Sequence, residues 1–184
     1  MESIYSILEE PPAKPLLHTD VLARLIKIMQ AKEYSGDTQT LLDQADGVAQ
    51  FIIEWVRRDL LNIAFGNSNN HGRNTAFLKT NNYISLAQIF DFAPMKADPE
   101  IVTRSFTWGH GMELGGHYDF QKISLHLQQW IEPDKLLSAL QQTASQLCGL
   151  HKRLENRGVP NSITAFPTIG LSHLEEKLSQ WGLL

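Results

Sequence analysis

The residues best suited to chemistry lie in one polar segment, GNSNNHGRNTAFL, which spans residues 66–78. Four asparagines, a histidine and an arginine stand there between a helical run and an apolar run. In many proteins such a segment is only a helix C-cap followed by Asx turns. The alternative is a binding loop, because this segment has more hydrogen-bonding groups than a simple connector needs.

A carboxylate follows a hairpin further on, as Asp91 in IFDFAP. Protein kinases have the same order of parts: a catalytic loop with the signature D-x-x-x-x-N, a hairpin, and a metal-binding aspartate. Here Asn74 can stand for the loop asparagine and Asp91 for the metal ligand. Mg²⁺ prefers hard oxygen ligands and is often held by one or two protein groups plus phosphates. An amide oxygen and a carboxylate are therefore sufficient as the protein ligands of a Mg²⁺ site.

Together with YISLAQIFDFAPM, the polar segment resembles the catalytic core of HipA-like serine/threonine kinases, the toxins of bacterial toxin–antitoxin modules. The family pattern is close to G-N-T-D-x-H-x-x-N followed by L-A-P-x-Y-D-F-A-P-M. The resemblance covers residues 66–95 and, more loosely, the flanking helices and the DPE…R…WG region. It implies ATP and Mg²⁺ as ligands, with Asn74 and Asp91 holding the metal and Arg73 near the nucleotide. It also implies that His71 orders the loop or touches a phosphate.

Three positions depart from this family pattern. Asn69 stands where the family has its catalytic aspartate, Gln88 where it has a proline, and Phe90 where it has a tyrosine. An amide cannot accept the proton of a substrate hydroxyl, although it preserves the shape of the carboxylate. We therefore expect severely impaired phosphoryl transfer, as in a pseudokinase.

The resemblance extends only to the helical C-lobe, because no Gly-rich loop or V-A-I-K-like strand precedes residue 66. We expect either a fragment or half of a split kinase, inactive as an isolated chain, whose N-lobe is a separate chain. The alternative is a non-catalytic interaction module that binds an antitoxin or such an N-lobe chain. The sequence does not specify a phosphorylation target.

A second group of possible metal ligands lies in HGMELGGHYD. It consists of His110, Glu113, His117 and Asp119. Histidine and carboxylate suit zinc, but this spacing matches no standard zinc pattern. A metal-dependent hydrolase at this loop is therefore the weakest hypothesis, and ordinary hydrogen-bonding side chains are the simpler interpretation.

Three other residues have open roles. Arg104 fits a phosphate or substrate contact as well as it fits a surface position. Trp108 is expected in the core, with a ligand contact as the alternative. Cys148 falls inside a helical pattern and is expected to be a small buried hydrophobe.

Composition narrows the classes of partner and location. The 184 residues carry a net charge of -4 and one cysteine, and we find no basic patch, so we expect no direct nucleic-acid binding. No run of eighteen apolar residues occurs, so we expect no membrane span. A lone cysteine excludes intramolecular disulfides and favours a cytoplasmic location.

The elements that must position the polar segment are mostly helical. Residues 1–17, rich in proline, are predicted to be an extended arm or linker, and residues 18–184 a single domain. Apolar periodicity predicts helices at about 19–33 and 38–65, the second ending at Gly66, and further helices after residue 119. Residues 75–79 and 83–88 are predicted to form a hairpin, and residues 92–119 an irregular segment. The expected fold class is mainly α: a helical, kinase-like C-lobe of the HipA type with one short β-hairpin.

Overall fold

A long central helix and several small sheets frame the chain. The computed structural model describes residues 1–32, 34–100, 102–109 and 111–184. In chain order the elements are β1 (Glu2–Ser3), α1 (Ile4–Ile7), β2 (Leu16–Leu17), α2 (His18–Gln30), β3 (Gln39–Thr40), α3 (Gly47–Ala64), β4 (Ala76–Lys79), β5 (Tyr83–Leu86), β6 (Phe106–Thr107), β7 (Glu113–Leu114), β8 (His117–Tyr118), α4 (Phe120–His126), α5 (Pro133–Leu147), α6 (Leu150–Asn156), α7 (Asn161–Thr164) and α8 (Leu174–Gln180). Short 3₁₀ turns occur at Leu41–Asp43, Met95–Ala97 and Leu171–His173.

The fold class is helix-rich mixed α/β, so the prediction of a mainly α domain with one hairpin is wrong. Helix accounts for 46% of the chain and strand for 11%. The strands form a four-stranded sheet in the order β1-β4-β5-β3 and two two-stranded sheets, β2-β6 and β7-β8. Most of these strands are two residues long, which is too short to produce an alternating pattern in the sequence.

The hairpin itself is confirmed, with strands slightly shorter than predicted. Strands β4 and β5 pair antiparallel, with Phe77 opposite Leu86 and Lys79 opposite Ile84. At the turn, Thr80 donates through its backbone N–H to the carbonyl of Tyr83 at 3.0 Å. The hairpin therefore connects the polar segment to the region of Asp91.

Helix α3 begins later than predicted, at Gly47 instead of residue 38. Thr40 and Asp43 form a capping box on the preceding 3₁₀ turn, in which each satisfies the other's backbone N–H. The spacing of Leu41 and Leu42 had extended the predicted helix toward residue 38. In the structure both side chains pack against the core from the 3₁₀ turn. A helical period in apolar residues therefore did not require one continuous helix.

Residues 1–17 had been predicted to be an extended arm or linker, but residues 2–7 are folded against the rest of the chain. They form β1 and α1, and Ile4 and Tyr5 are buried, 0% and 4% exposed. The N–H of Ile4 donates to the carbonyl of Thr75 at 3.0 Å, which ties α1 to the polar segment. The division between residues 1–17 and 18–184 as separate units stays a prediction.

The core is organised around α3, whose residues Phe51, Ile52, Val56 and Leu60 are completely buried. Trp108 is also buried, as the core interpretation predicted, whereas Cys148 is exposed, so its predicted burial is wrong. Cys148 lies outside both neighbouring helices, because α5 ends at Leu147 and Gly149, with a φ of +70°, separates α5 from α6. Among the helices of the described residues, none is long and apolar enough to cross a membrane.

Candidate functional site

The polar segment begins where α3 ends. Gly66 has a φ of +68°, the left-handed conformation that glycine adopts without a Cβ penalty, and the helix ends at Ala64, one residue before the predicted end. Asn67 then donates through Nδ2 to Oδ1 of Asn62 at 2.9 Å, which returns the chain to the last turns of α3. The loop therefore starts from a rigid helix end.

Asn74 is held in a defined orientation within the loop. Its Nδ2 donates to the backbone carbonyl of Asn69 at 2.9 Å, and its backbone N–H donates to the carbonyl of His71 at 2.9 Å. Because the amide nitrogen is occupied, Oδ1 is the atom left for a ligand. Asn74 lines a cavity of about 20 Å³ together with Phe90 and Phe92, room for one ion-sized or water-sized guest.

Asp91 lies between those two phenylalanines. Its φ of +52° is uncommon for a residue with a Cβ, although aspartate tolerates it better than most. The side chain is exposed and has no ion-pair partner among the described residues. Phe92 packs its ring edge-on against Phe65, at 5.4 Å between centroids, which anchors the residue next to Asp91. The structure thus brings the neighbours of Asp91, on both sides, to the cavity that Asn74 lines.

His71 and Arg73 lie on the outer part of the loop. Nδ1 of His71 accepts a hydrogen bond from the backbone N–H of Arg73 at 3.3 Å, consistent with a role in ordering the loop. Arg73 is exposed, and its guanidinium makes no hydrogen bond to the described residues. Between them, Gly72 lies against Tyr5, where an added Cβ would come within 2.7 Å of the ring. The predicted ligand roles of His71 and Arg73 stay predictions.

The central residue that sequence reasoning missed is Asp59 on α3, which is 2% exposed. Its Oδ1 accepts from Asn70 Nδ2 at 3.0 Å and from Arg104 Nη2 at 3.0 Å. Its Oδ2 accepts from Trp108 Nε1 at 2.8 Å and lies 3.4 Å from His18 Nε2. We call these five residues the Asp59 cluster.

The tautomer of His18 follows from its second contact. Trp55 donates through Nε1 to His18 Nδ1 at 3.0 Å, so Nδ1 is the acceptor and a neutral ring carries its proton on Nε2. That proton faces Asp59, although 3.4 Å is longer than an ordinary hydrogen bond. The ring also stacks on Trp108, with centroids 4.4 Å apart. His18 is therefore fixed from both sides.

Charge pairing determines the ionisation of the cluster. Burial acts to raise the pKa of Asp59, but the Arg104 guanidinium, His18 and the hydrogen bond from Trp108 outweigh it and hold that pKa well below its usual range. Burial acts to lower the pKa of Arg104, and the carboxylate of Asp59 outweighs it and raises that pKa. Asp59 and Arg104 thus form a buried ion pair.

This pairing excludes one of the two roles left open for Arg104, and the phosphate or substrate contact stays a prediction. The side chain is 9% exposed, so Arg104 is not a surface arginine. A sequence signal for the pair did exist, because Asp59 falls on the apolar stripe of α3 with Ile52, Val56 and Ile63. A carboxylate on a buried helix face requires a partner, but the sequence does not say which one.

The described members of the second group of possible metal ligands are not brought together as a site. His110 lies outside the described residues. Glu113 accepts from the N–H of Trp108 at 3.0 Å, and Asp119 caps α4 by accepting from the N–H of Lys122 at 2.9 Å. Within the described residues, no group of three or more His, Cys, Asp or Glu side chains could hold a metal ion.

Comparison with known proteins gives one result. The family model of the HipA-like C-terminal domain matches residues 13–150. The chain belongs to this family. The match includes the polar segment, Asp91 and all five residues of the Asp59 cluster, and it supports a relation to HipA-like toxins. No curated protein and no solved structure is significantly similar to the chain.

Proposed function

We propose that the chain is the C-lobe of a HipA-like serine/threonine protein kinase and binds the Mg²⁺–phosphate part of ATP at Asn74 and Asp91. The observation that carries this proposal is the fixed amide of Asn74. Its nitrogen is bonded to Asn69 within the loop, and its oxygen remains for a ligand beside the residues that flank Asp91.

The donor chemistry of these two residues fits Mg²⁺. An amide oxygen and an exposed carboxylate are both hard oxygen donors, and phosphates and water complete such a site. A bound Mg²⁺ would neutralise phosphate charge there. The chain's own contribution is to hold Asn74 against the loop and to present Asp91 from the irregular segment that follows β5. The cavity of about 20 Å³ suits an ion but not a nucleotide, so the rest of ATP must lie outside it.

Asn69 makes strong phosphoryl transfer unexpected. The backbone carbonyl of Asn69 accepts a hydrogen bond from Asn74, which fixes the backbone of Asn69 within the loop. The amide can hydrogen-bond a substrate hydroxyl but cannot remove its proton. We propose a weak kinase or a pseudokinase that retains nucleotide binding.

A second candidate function is a non-catalytic interaction module. Ile89 and Phe92, which line the same cavity as Asn74, are 44% and 36% exposed. Exposed apolar side chains at a binding face suit a protein partner. An antitoxin, or a separate N-lobe chain, is the partner that this alternative proposes. In either case we propose a cytoplasmic location and no direct contact with nucleic acid.

Calorimetric titration with Mg²⁺–ATP tests the first proposal. The native chain should bind, the Asp91→Ala variant should lose binding, and the exposed control Asp37→Ala should bind like the native chain. Binding that requires Mg²⁺ and Asp91 supports the half-site. Equal binding by all three chains, or binding by none, rejects it and favours the interaction module.

A further inference from the structure

A second cleft adjoins the polar segment on the side of residues 96–104. It has a volume of about 430 Å³ and is lined by Ser68, Lys96, Val102, Thr103, Arg104 and Thr168. It is separate from the small cavity at Asn74, because none of these six residues lines both. The proposed nucleotide half-site gives it no role.

Two residues that line this cleft have buried hydrogen-bond donors without acceptors. Nη1 and Nε of Arg104 and Oγ of Ser68 are buried, and none has a hydrogen-bond partner among the described residues. Nε lies 3.6 Å from Oε1 of Glu113, which is an ionic contact but too long for a hydrogen bond. Buried donors of this kind are normally satisfied, and one that is not points to a missing ligand, ion or water.

The cleft also has more positive than negative charge around it. Asp59 and Glu113 offset Arg104, but Lys96 has no carboxylate partner within ion-pair distance among the described residues. Burial lowers the pKa of Lys96, and the nearby positive charges of Lys177 and Arg104 lower it further, while the weaker effect of the Glu113 carboxylate opposes them. Burial also lowers the pKa of Lys177. Cations placed together without a matching anion favour an anionic ligand.

The wall of the cleft is tied to the polar segment. The N–H groups of Ser68 and Lys96 both donate to the carbonyl of Gly66, at 3.1 and 2.9 Å. On the other side, Thr168 donates through Oγ1 to the carbonyl of Lys96 at 2.9 Å. Ser68 and Lys96 therefore share one anchor at the end of α3, and Thr168 closes the cleft from the C-terminal part of the chain.

We propose that this cleft is an oxyanion-binding site for a phosphate group, recognised by Lys96, Arg104 and the hydroxyl groups of Ser68 and Thr103. Arginine and lysine are the usual phosphate partners, and hydroxyl groups complete their hydrogen bonding. The volume is many times that of a water molecule at about 30 Å³, and Val102 adds an apolar wall. There is thus space for the group that carries the phosphate, as on a phosphorylated threonine, as well as for the free ion.

The test uses the full chain and two probes, inorganic phosphate and a short peptide containing phosphothreonine, at constant ionic strength. Amide resonances of Ser68, Lys96, Thr103 and Arg104 should shift in a saturable way. Lys96→Met should weaken this binding about tenfold or more, the usual effect of losing a hydrogen bond to a charged group. The exposed Lys152→Met gives the same loss of charge and should bind like the native chain.

Two comparisons complete the test. The unphosphorylated peptide should not bind. Tighter binding of the phosphopeptide than of inorganic phosphate would identify a phosphorylated residue as the ligand. Asp91→Ala should leave phosphate binding unchanged, which separates this site from the nucleotide half-site. Absence of saturable shifts in the native chain overturns the proposal, and so do equal affinities for Lys96→Met and Lys152→Met. Thermal melts of both variants establish that they are folded.

Discussion

Asn70 Nδ2 donates to Asp59 Oδ1 at 3.0 Å, so a buried carboxylate of the long helix holds the middle of the polar segment. The same oxygen accepts from Arg104, whose chain segment forms part of the phosphate cleft. One carboxylate therefore links the loop of the proposed nucleotide half-site to the wall of the second cleft. The positions of Asn70 and Arg104 therefore depend on the ionised carboxylate of Asp59.

Removal of the Asp59 carboxylate should destabilise the fold strongly. Asp59→Ala leaves the guanidinium of Arg104 buried without its counter-charge, which typically costs about 3–5 kcal/mol in the free energy of unfolding. Asp37→Ala is the control, because Asp37 is exposed and such surface substitutions change stability by about 0.5 kcal/mol or less. Urea unfolding measures both.

Should Asp59→Ala not fold, Trp108→Phe provides a milder test. It removes the 2.8 Å hydrogen bond from Nε1 to Asp59 and leaves a smaller aromatic ring in the core. The expected loss is at least about 1.5–3 kcal/mol, because the lost hydrogen bond to a charged group and the lost packing both destabilise the fold. A stability equal to that of the native chain would contradict the importance of the cluster.

The ionisation of Asp59 should make stability depend on pH on the acid side. Because the folded-state pKa of Asp59 is depressed, its contribution is fully present above the unfolded-state value of about 3.9. It is lost progressively as the pH falls below that value toward the folded-state pKa. The carboxyl carbon resonance of Asp59, followed on lowering the pH, should keep its ionised position to well below pH ~3.9. A transition at or above that pH would mean that Arg104 does not lower the pKa of Asp59.

Restoring a carboxylate at residue 69 should raise phosphoryl transfer. A positioned general base typically contributes about 10²–10⁴-fold to rate, so Asn69→Asp should incorporate phosphate from ATP faster than the native chain. Asn69→Ala is the control and should be no faster than the native chain. Radiolabel incorporation measures the rates, with the same protein acceptor for all three chains. If Asn69→Asp and the native chain transfer phosphate at the same measurable rate, Asn69 is not at the base position, whereas no transfer by either chain would agree with the inactivity expected of an isolated C-lobe.

The N-terminal residues should contribute to folding stability. Ile4 is completely buried in α1, and Ile4→Ala removes a large buried side chain, an effect of about 2–5 kcal/mol. Met1→Ala serves as the control, since Met1 is 75% exposed and its truncation should change stability by about 0.5 kcal/mol or less. Chemical denaturation of both variants measures whether the N-terminal residues contribute to the free energy of unfolding. Similar midpoints would support the arm or linker that the prolines predicted.

The sequence by itself determined the features that depend on neighbouring residues. Gly66 ends the long helix because glycine accepts a positive φ, and the hairpin forms because two apolar runs flank a Thr-Asn-Asn turn. The polar segment and Asp91 could be located for the same reason, since their order along the chain is local information. The roles proposed for Asn74 and Asp91 came from family resemblance, and calorimetry will test them.

Only the tertiary structure decided which distant residues meet. His18, Asp59 and Arg104 come from separate segments, and burial selects their pairing after the chain has folded. The two-residue strands β1, β2, β3 and β6 had the same cause, because each pairs with a distant segment and is too short to leave a period in the sequence. Helix α3 began at Gly47 because Gln44 is extended and Asp46 is left-handed, which separates α3 from the 3₁₀ turn that the Thr40–Asp43 capping box begins. Local rules therefore located the polar loop, whereas long-range pairing produced the Asp59 cluster and the cleft beside it.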